Sequence, residues 1–180
     1  MHVFLIILAV MLWALAGIAL FIRQRVAPVL SFAALSVLSF ARTGGLQIIP
    51  VNTVMLLGWF AITLIVTIVT VIQPPVVQAQ RRGVGYMAAG GVAGLAAGLL
   101  GNNLTADPSL LYSIMVIAVA AGVFIGFLFY TGTPRGRELS IPTGRFFRYL
   151  LAKGFPVAVS IMMAGVPLVL LVLKLYTSTL

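Results

Sequence analysis

The sequence predicts an all-α integral membrane protein: a bundle of six transmembrane helices with a short amphipathic helix lying on the cytoplasmic interface. Three observations carry this expectation. Of 180 residues, 62% are hydrophobic and 7% are charged, where soluble domains carry about 25% charged residues, and the mean hydropathy is +1.22. Six apolar segments recur along the chain at close to bilayer-spanning length. The cations fall on alternate loops between those segments. A surface this poor in charge is not solvated by water, and no polar stretch is long enough to bury a core of its own. Residues 1–180 therefore read as one transmembrane helical domain.

The six segments cover approximately residues 3–22, 26–41, 53–72, 85–101, 110–130 and 155–176. About 20 helical residues cross a hydrocarbon core of about 30 Å. The second and fourth segments are shorter, so they fit upright or in a locally thinned bilayer. Lipid offers no hydrogen-bond partners, so each segment has to satisfy its own backbone, which favours helices. Barrel strands would alternate apolar and polar residues, and no such alternation is visible. The first segment lacks a basic leader and exceeds the length of a signal-peptide core, and Arg23 and Arg25 follow it. It is expected to be a retained span.

Charge sets the expected orientation. Loops one, three and five carry Arg23, Arg25, Arg81, Arg82, Arg135, Arg137, Arg145, Arg148 and Lys153, while Arg42 and Lys174 fall on the other side. That imbalance places the odd loops in the cytoplasm and both termini outside, as in a plasma or inner membrane. A re-entrant second segment would invert everything after it and send the arginine-rich fifth loop outward. The excess of eleven Lys and Arg over two acids thus reads as a membrane signature, with anionic lipid as the partner and no nucleic acid.

The fourth segment sets Gly90, Gly94 and Gly98 on one face, and the fifth repeats the spacing with Ala118, Gly122 and Gly126. In water each helical glycine costs about 1 kcal/mol against alanine. In lipid, close backbone approach replaces the hydrophobic driving force between helices, and small residues permit it. This spacing is a glycine-zipper pattern. The eight-residue connection "NNLTADPS" makes the two segments antiparallel neighbours, so their small faces are expected to pack together.

On the third segment, Trp59, Thr63, Thr67 and Thr70 form a stripe. The hydroxyls either bond back to helix carbonyls or give a solute path a weakly polar lining. In the sixth, Pro167 falls mid-span, where a kink is expected, and Lys174 is placed to snorkel outward.

In the fifth loop, residues 143–153 read as the interfacial helix. Thr143 would cap it, and Phe146, Phe147, Leu150 and Leu151 would face the acyl chains. Arg145, Arg148, Tyr149 and Lys153 would lie opposite. With Arg81 and Arg82, these cations make one basic surface for anionic lipid or an acidic protein partner. Asn103-Leu104-Thr105 matches a glycosylation acceptor, but the motif is frequent by chance and sits against the membrane.

Catalytic signals are lacking. There is no cysteine, the one histidine is His2, and the two acids, Asp107 and Glu138, fall outside the spans. No base, nucleophile or metal-ligand set is apparent, and no cofactor, metal or catalytic residue is expected. The function expected is that of a non-catalytic membrane-embedded structural or accessory subunit, joined to other subunits or to itself through small-residue faces. The alternative is a small oligomeric channel or facilitative transporter for a neutral or anionic solute, lined by Thr63, Thr67 and Thr70.

Overall fold

The helices follow from runs of apolar residues broken by prolines, glycines and cations. The computed structural model describes residues 2–40, 42–43, 46–47, 51–72, 83–100, 107–137 and 147–177. Within these the chain is helical: α1 (His2–Ile22), α2 (Ala27–Ser39), α3 (Thr53–Ile72), α4 (Val84–Leu99), α5 (Pro108–Gly132), a single turn α6 (Pro134–Arg137), and α7 (Phe155–Thr177). A two-residue antiparallel pairing joins β1 (Arg42–Thr43) to β2 (Leu46–Gln47) between α2 and α3.

Among the described residues, four helices are long and apolar enough to cross a membrane: Val3–Ile22, Thr53–Ile72, Ser109–Gly132 and Phe147–Leu173. Two shorter apolar helices, Ala27–Ser39 and Val84–Leu99, stand where the second and fourth of the six expected spans fall. At 1.5 Å per residue these reach about 20 Å and 24 Å, short of a hydrocarbon core of about 30 Å. Local chemistry sets their limits. A proline stands in the first turn of α2, where its missing N–H costs nothing. Gly83 caps α4 in the left-handed conformation, φ +88°, which glycine adopts without a Cβ penalty.

At the start of α5, the Asp107 carboxylate accepts hydrogen bonds from the Ser109 amide at 2.9 Å and the Ser109 hydroxyl at 2.8 Å. This is a helix cap. The amide bond, first among these, holds the carboxyl below its ordinary pKa.

A correction concerns residues 143–153. Residues 143–146 lie outside the described set. From Phe147 onward the segment is no separate interfacial helix but the first turns of the last span, Phe147–Leu173. A π-helical turn, Leu150–Gly154, joins it to α7. A π turn takes more residues than an α turn and so shifts the phase of everything before it. Tyr149, Ala152 and Lys153 consequently face inward, and Phe147 and Leu151 stay outward.

The last span is the centre of the bundle. It packs against α1, α2, α3, α4 and α5. Around it, α4 lies along α5, α1 along α2, and α2 touches α3. The ring closes where Trp59 of α3 donates its indole N–H to the Tyr112 hydroxyl of α5 at 2.9 Å. Between α1 and α4 the contact is slight. The core is aliphatic and thioether-rich: Leu35, Leu38, Met87, Met115, Val119, Phe127, Val157, Met163 and Val166 are buried. Large apolar side chains also cover the outside, among them Phe4, Met11, Phe21, Leu57, Ile65, Ile117 and Phe129. A belt of that extent on every long helix suits lipid and not water. The last span runs through Pro167 without interruption.

Candidate functional site

Four places bear on function, and the seam between α4 and α5 is the tightest. A Cβ added at Gly90 would meet the carbonyl oxygen of Gly122, and 3.0 Å away the Gly126 Cα. One at Gly94 would meet the Ala118 carbonyl oxygen and, at 3.2 Å, the Gly122 Cα. One at Gly98 would lie 2.9 Å from the Met115 Cα and 3.2 Å from the Ala118 Cβ. From the other side, Gly122 faces Gly90 and Gly94, and Gly126 faces Tyr86 and Met87. All six expected packing residues, Gly90, Gly94, Gly98, Ala118, Gly122 and Gly126, thus lie at one backbone-to-backbone contact. Such proximity lets dispersion and Cα–H···O contacts accumulate where the hydrophobic effect contributes little.

The threonine stripe on α3 faces inward but is internally satisfied. Thr63 donates to the Trp59 carbonyl at 2.8 Å, with the Met163 sulfur also within 3.7 Å. Thr67 donates to the Thr63 carbonyl at 2.8 Å and Thr70 to the Thr67 carbonyl at 2.9 Å. Thr63 and Thr70 are buried. Hydroxyls bonded back to their own helix have no donor left for a passing solute, although they can still accept.

At the end of the bundle where α4 begins and α5 ends, an aromatic stack packs beside the π turn. Tyr149 lies parallel to Phe127 at 5.8 Å and to Tyr130 at 6.5 Å between ring centres, and Tyr130 meets Tyr86 at 5.7 Å. Of the cations expected on a basic surface, Arg148 is exposed, whereas Lys153 is 5% exposed and so is corrected from a surface residue to a buried one. Arg81, Arg82 and Arg145, like Thr143, Phe146, Glu138 and the Asn103 motif, lie outside the described residues, as does the side chain of Lys174.

The fourth place was not expected from sequence. A groove of about 1010 Å³ runs between α1 and α4 over α7. Trp13, Ser31 and Ser160 line it, at 6%, 0% and 2% exposure. Their indole N–H and hydroxyl groups have no hydrogen-bond partner among the described residues. A buried polar group left unpaired costs about 1–3 kcal/mol. Other hydroxyls in the helices behave differently: Ser36, Ser39 and Ser113 all donate to a carbonyl one turn earlier. One signal was available in the sequence. Trp13 is a tryptophan far from both ends of its span, while tryptophan favours the membrane interface. Trp59 is placed similarly, but it has Tyr112.

Among the described residues, no group of three His, Cys, Asp or Glu side chains comes together to hold a metal ion. No family model matches the chain, and comparisons with curated proteins and with solved structures likewise find no match.

Proposed function

We propose that the chain is a non-catalytic, membrane-embedded accessory subunit that packs through small-residue helix faces and turns a basic face to the cytoplasm. The observation that carries this reading is the state of α3. Its threonine hydroxyls are returned to their own helix. Met163 lies on Thr63, and the Trp59–Tyr112 bond ties α3 to α5. A polar path along that stripe would find the hydroxyl donors already used, with only acceptor lone pairs left to line it. In this reading α2 and α4 also traverse the bilayer, upright or where it thins, and both chain termini lie outside. The exposed arginines Arg23, Arg25, Arg135, Arg137 and Arg148 then meet anionic headgroups or an acidic partner.

A transport reading has one specific observation in its favour. Lys153 lies inside a span, buried on a π-helical turn. Ionisable groups at membrane depth and π bulges both concentrate at functional sites. A carrier of small anions would use Lys153 and not the threonines.

One experiment separates the two readings. The protein is purified from its native membrane in mild detergent, and whatever accompanies it is identified and quantified by mass spectrometry. The subunit reading expects a membrane protein at fixed stoichiometry that survives repeated size-exclusion chromatography. A homo-oligomer without such a partner, which carries anion flux in vesicles that Lys153→Met abolishes, overturns it.

A further inference from the structure

The groove between α1 and α4 differs from a second large apolar groove on the bundle. That second groove, about 790 Å³ along the α4–α5 seam, is walled mainly by alanine, glycine, isoleucine and phenylalanine. Its one small hydroxyl, Thr133, already donates to the Tyr130 carbonyl at 2.7 Å. The α1–α4 groove ends instead on three polar side chains from three helices, each more than nine-tenths buried and each unpaired. Three such groups lining one apolar groove suit a recognition pattern: mostly hydrocarbon contact, with a few fixed polar atoms to orient the ligand.

We propose that this groove binds an uncharged long-chain lipid, whose polar end accepts a hydrogen bond from Trp13 Nε1 and exchanges hydrogen bonds with Ser31 and Ser160. The chemistry of the three groups selects this class. An indole N–H can only donate, so the ligand must bring an acceptor oxygen, while a serine hydroxyl takes either role. The walls bear no charged side chain, and Trp13 stands midway along the span Val3–Ile22. A phosphate or ammonium headgroup would there be buried in hydrocarbon without a counter-ion. A carbonyl or hydroxyl on a hydrocarbon chain meets neither difficulty. A helix from a second copy is a poorer occupant, because its main-chain carbonyls are already satisfied internally. The groove's volume is that of a site for a large small molecule.

Access follows from the ring of helices. The contact between α1 and α4 is slight, so the groove lies open to the bilayer there. Val10, Phe21, Val92 and Leu168, all outward-facing on the groove walls, border that opening. A ligand enters sideways from the bilayer, chain along the walls, and its polar end reaches the floor as α1 tilts away. The proposal goes beyond the accessory-subunit reading and stands whether or not that reading does.

The test uses the full chain in phosphatidylcholine vesicles with a photoactivatable diacylglycerol that carries a diazirine in one acyl chain. Labelled peptides are mapped by mass spectrometry. The expected result is saturable labelling of residues on α1, α4 and α7 that border the groove. Excess unlabelled diacylglycerol suppresses it, and equal phosphatidylglycerol does not. Trp13→Phe and Ser160→Ala each weaken competition about fivefold, the worth of one hydrogen bond, while Ser160→Ala, which removes an unpaired buried hydroxyl, does not lower the melting temperature in detergent. Labelling that never saturates overturns the proposal, as does equal competition by phosphatidylglycerol, or protein–protein crosslinking of two copies through this groove. If either variant misfolds, the wild-type competition series decides the matter alone.

Discussion

Replacing Gly94 by leucine is expected to lower stability in detergent by at least about 3 kcal/mol, the upper end of the usual range for overpacking. The Gly94 Cα lies over the Ala118 carbonyl and near the Gly122 Cα, so the new side chain meets backbone, not the movable tip of a neighbour. α4 and α5 would have to separate along their whole seam. In lipid that removes the close contacts that hold the helices together, with little hydrophobic compensation. Thermal unfolding of purified protein is the measurement, with a fall in monodisperse yield on size exclusion as the accompanying sign. Gly17→Ala and Gly58→Ala serve as controls. Nothing lies within 4 Å of a Cβ at either position, so both are expected to keep or slightly raise the melting temperature. A Gly94→Leu protein that melts with the wild type would mean that the seam is wrongly placed.

Gly83→Val combines two penalties of different origin. The backbone there is left-handed, φ +88°, which costs an L-residue about 1–2 kcal/mol. A β-branched side chain would also enter the Tyr130 ring, whose nearest atoms lie 2.7 Å from an ideal Cβ. That ring cannot simply swing aside, since it lies against both Tyr86 and Tyr149. The expected loss is therefore the backbone cost plus about 1–3 kcal/mol of overpacking, again read by thermal unfolding. Gly83→Asn separates the two terms. Asparagine tolerates the left-handed region, so its remaining loss measures the clash. Equal stability of the valine variant and the wild type would contradict this account of how α4 begins.

The apolar segments were legible in the sequence because lipid imposes a one-dimensional rule: long apolar runs end where cations, prolines and glycines begin. α3 was expected at 53–72 and is found at Thr53–Ile72. Ala27–Ser39 and Val84–Leu99 stop about 10 Å and about 6 Å short of a hydrocarbon core of about 30 Å, because prolines, glycines and cations cut their apolar runs early. Residues 143–153 misled for a different reason. A helical wheel drawn at 100° per residue places Tyr149 and Lys153 opposite Leu150 and Leu151. The π turn at Leu150–Gly154 breaks that period, and no pattern of residue types announces it. Around the groove, Ser31 and Ser160 look like any serines in an apolar helix. Their importance lies in bonds that they do not make, and that emerges only when three helices come together over α7.

The central claim is that the threonine stripe of α3 is sealed within a dry bundle and lines no path for solute. The absence of cysteine from the chain makes the direct measurement clean. Single cysteines are placed at positions 63, 67 and 70, with one at exposed position 107 as a positive control, and intact membranes are treated with a water-soluble maleimide from each side in turn. The account predicts labelling at 107 from one side and none at 63, 67 or 70 from either. Labelling at all three α3 positions would show water reaching the middle of the bundle and would contradict it.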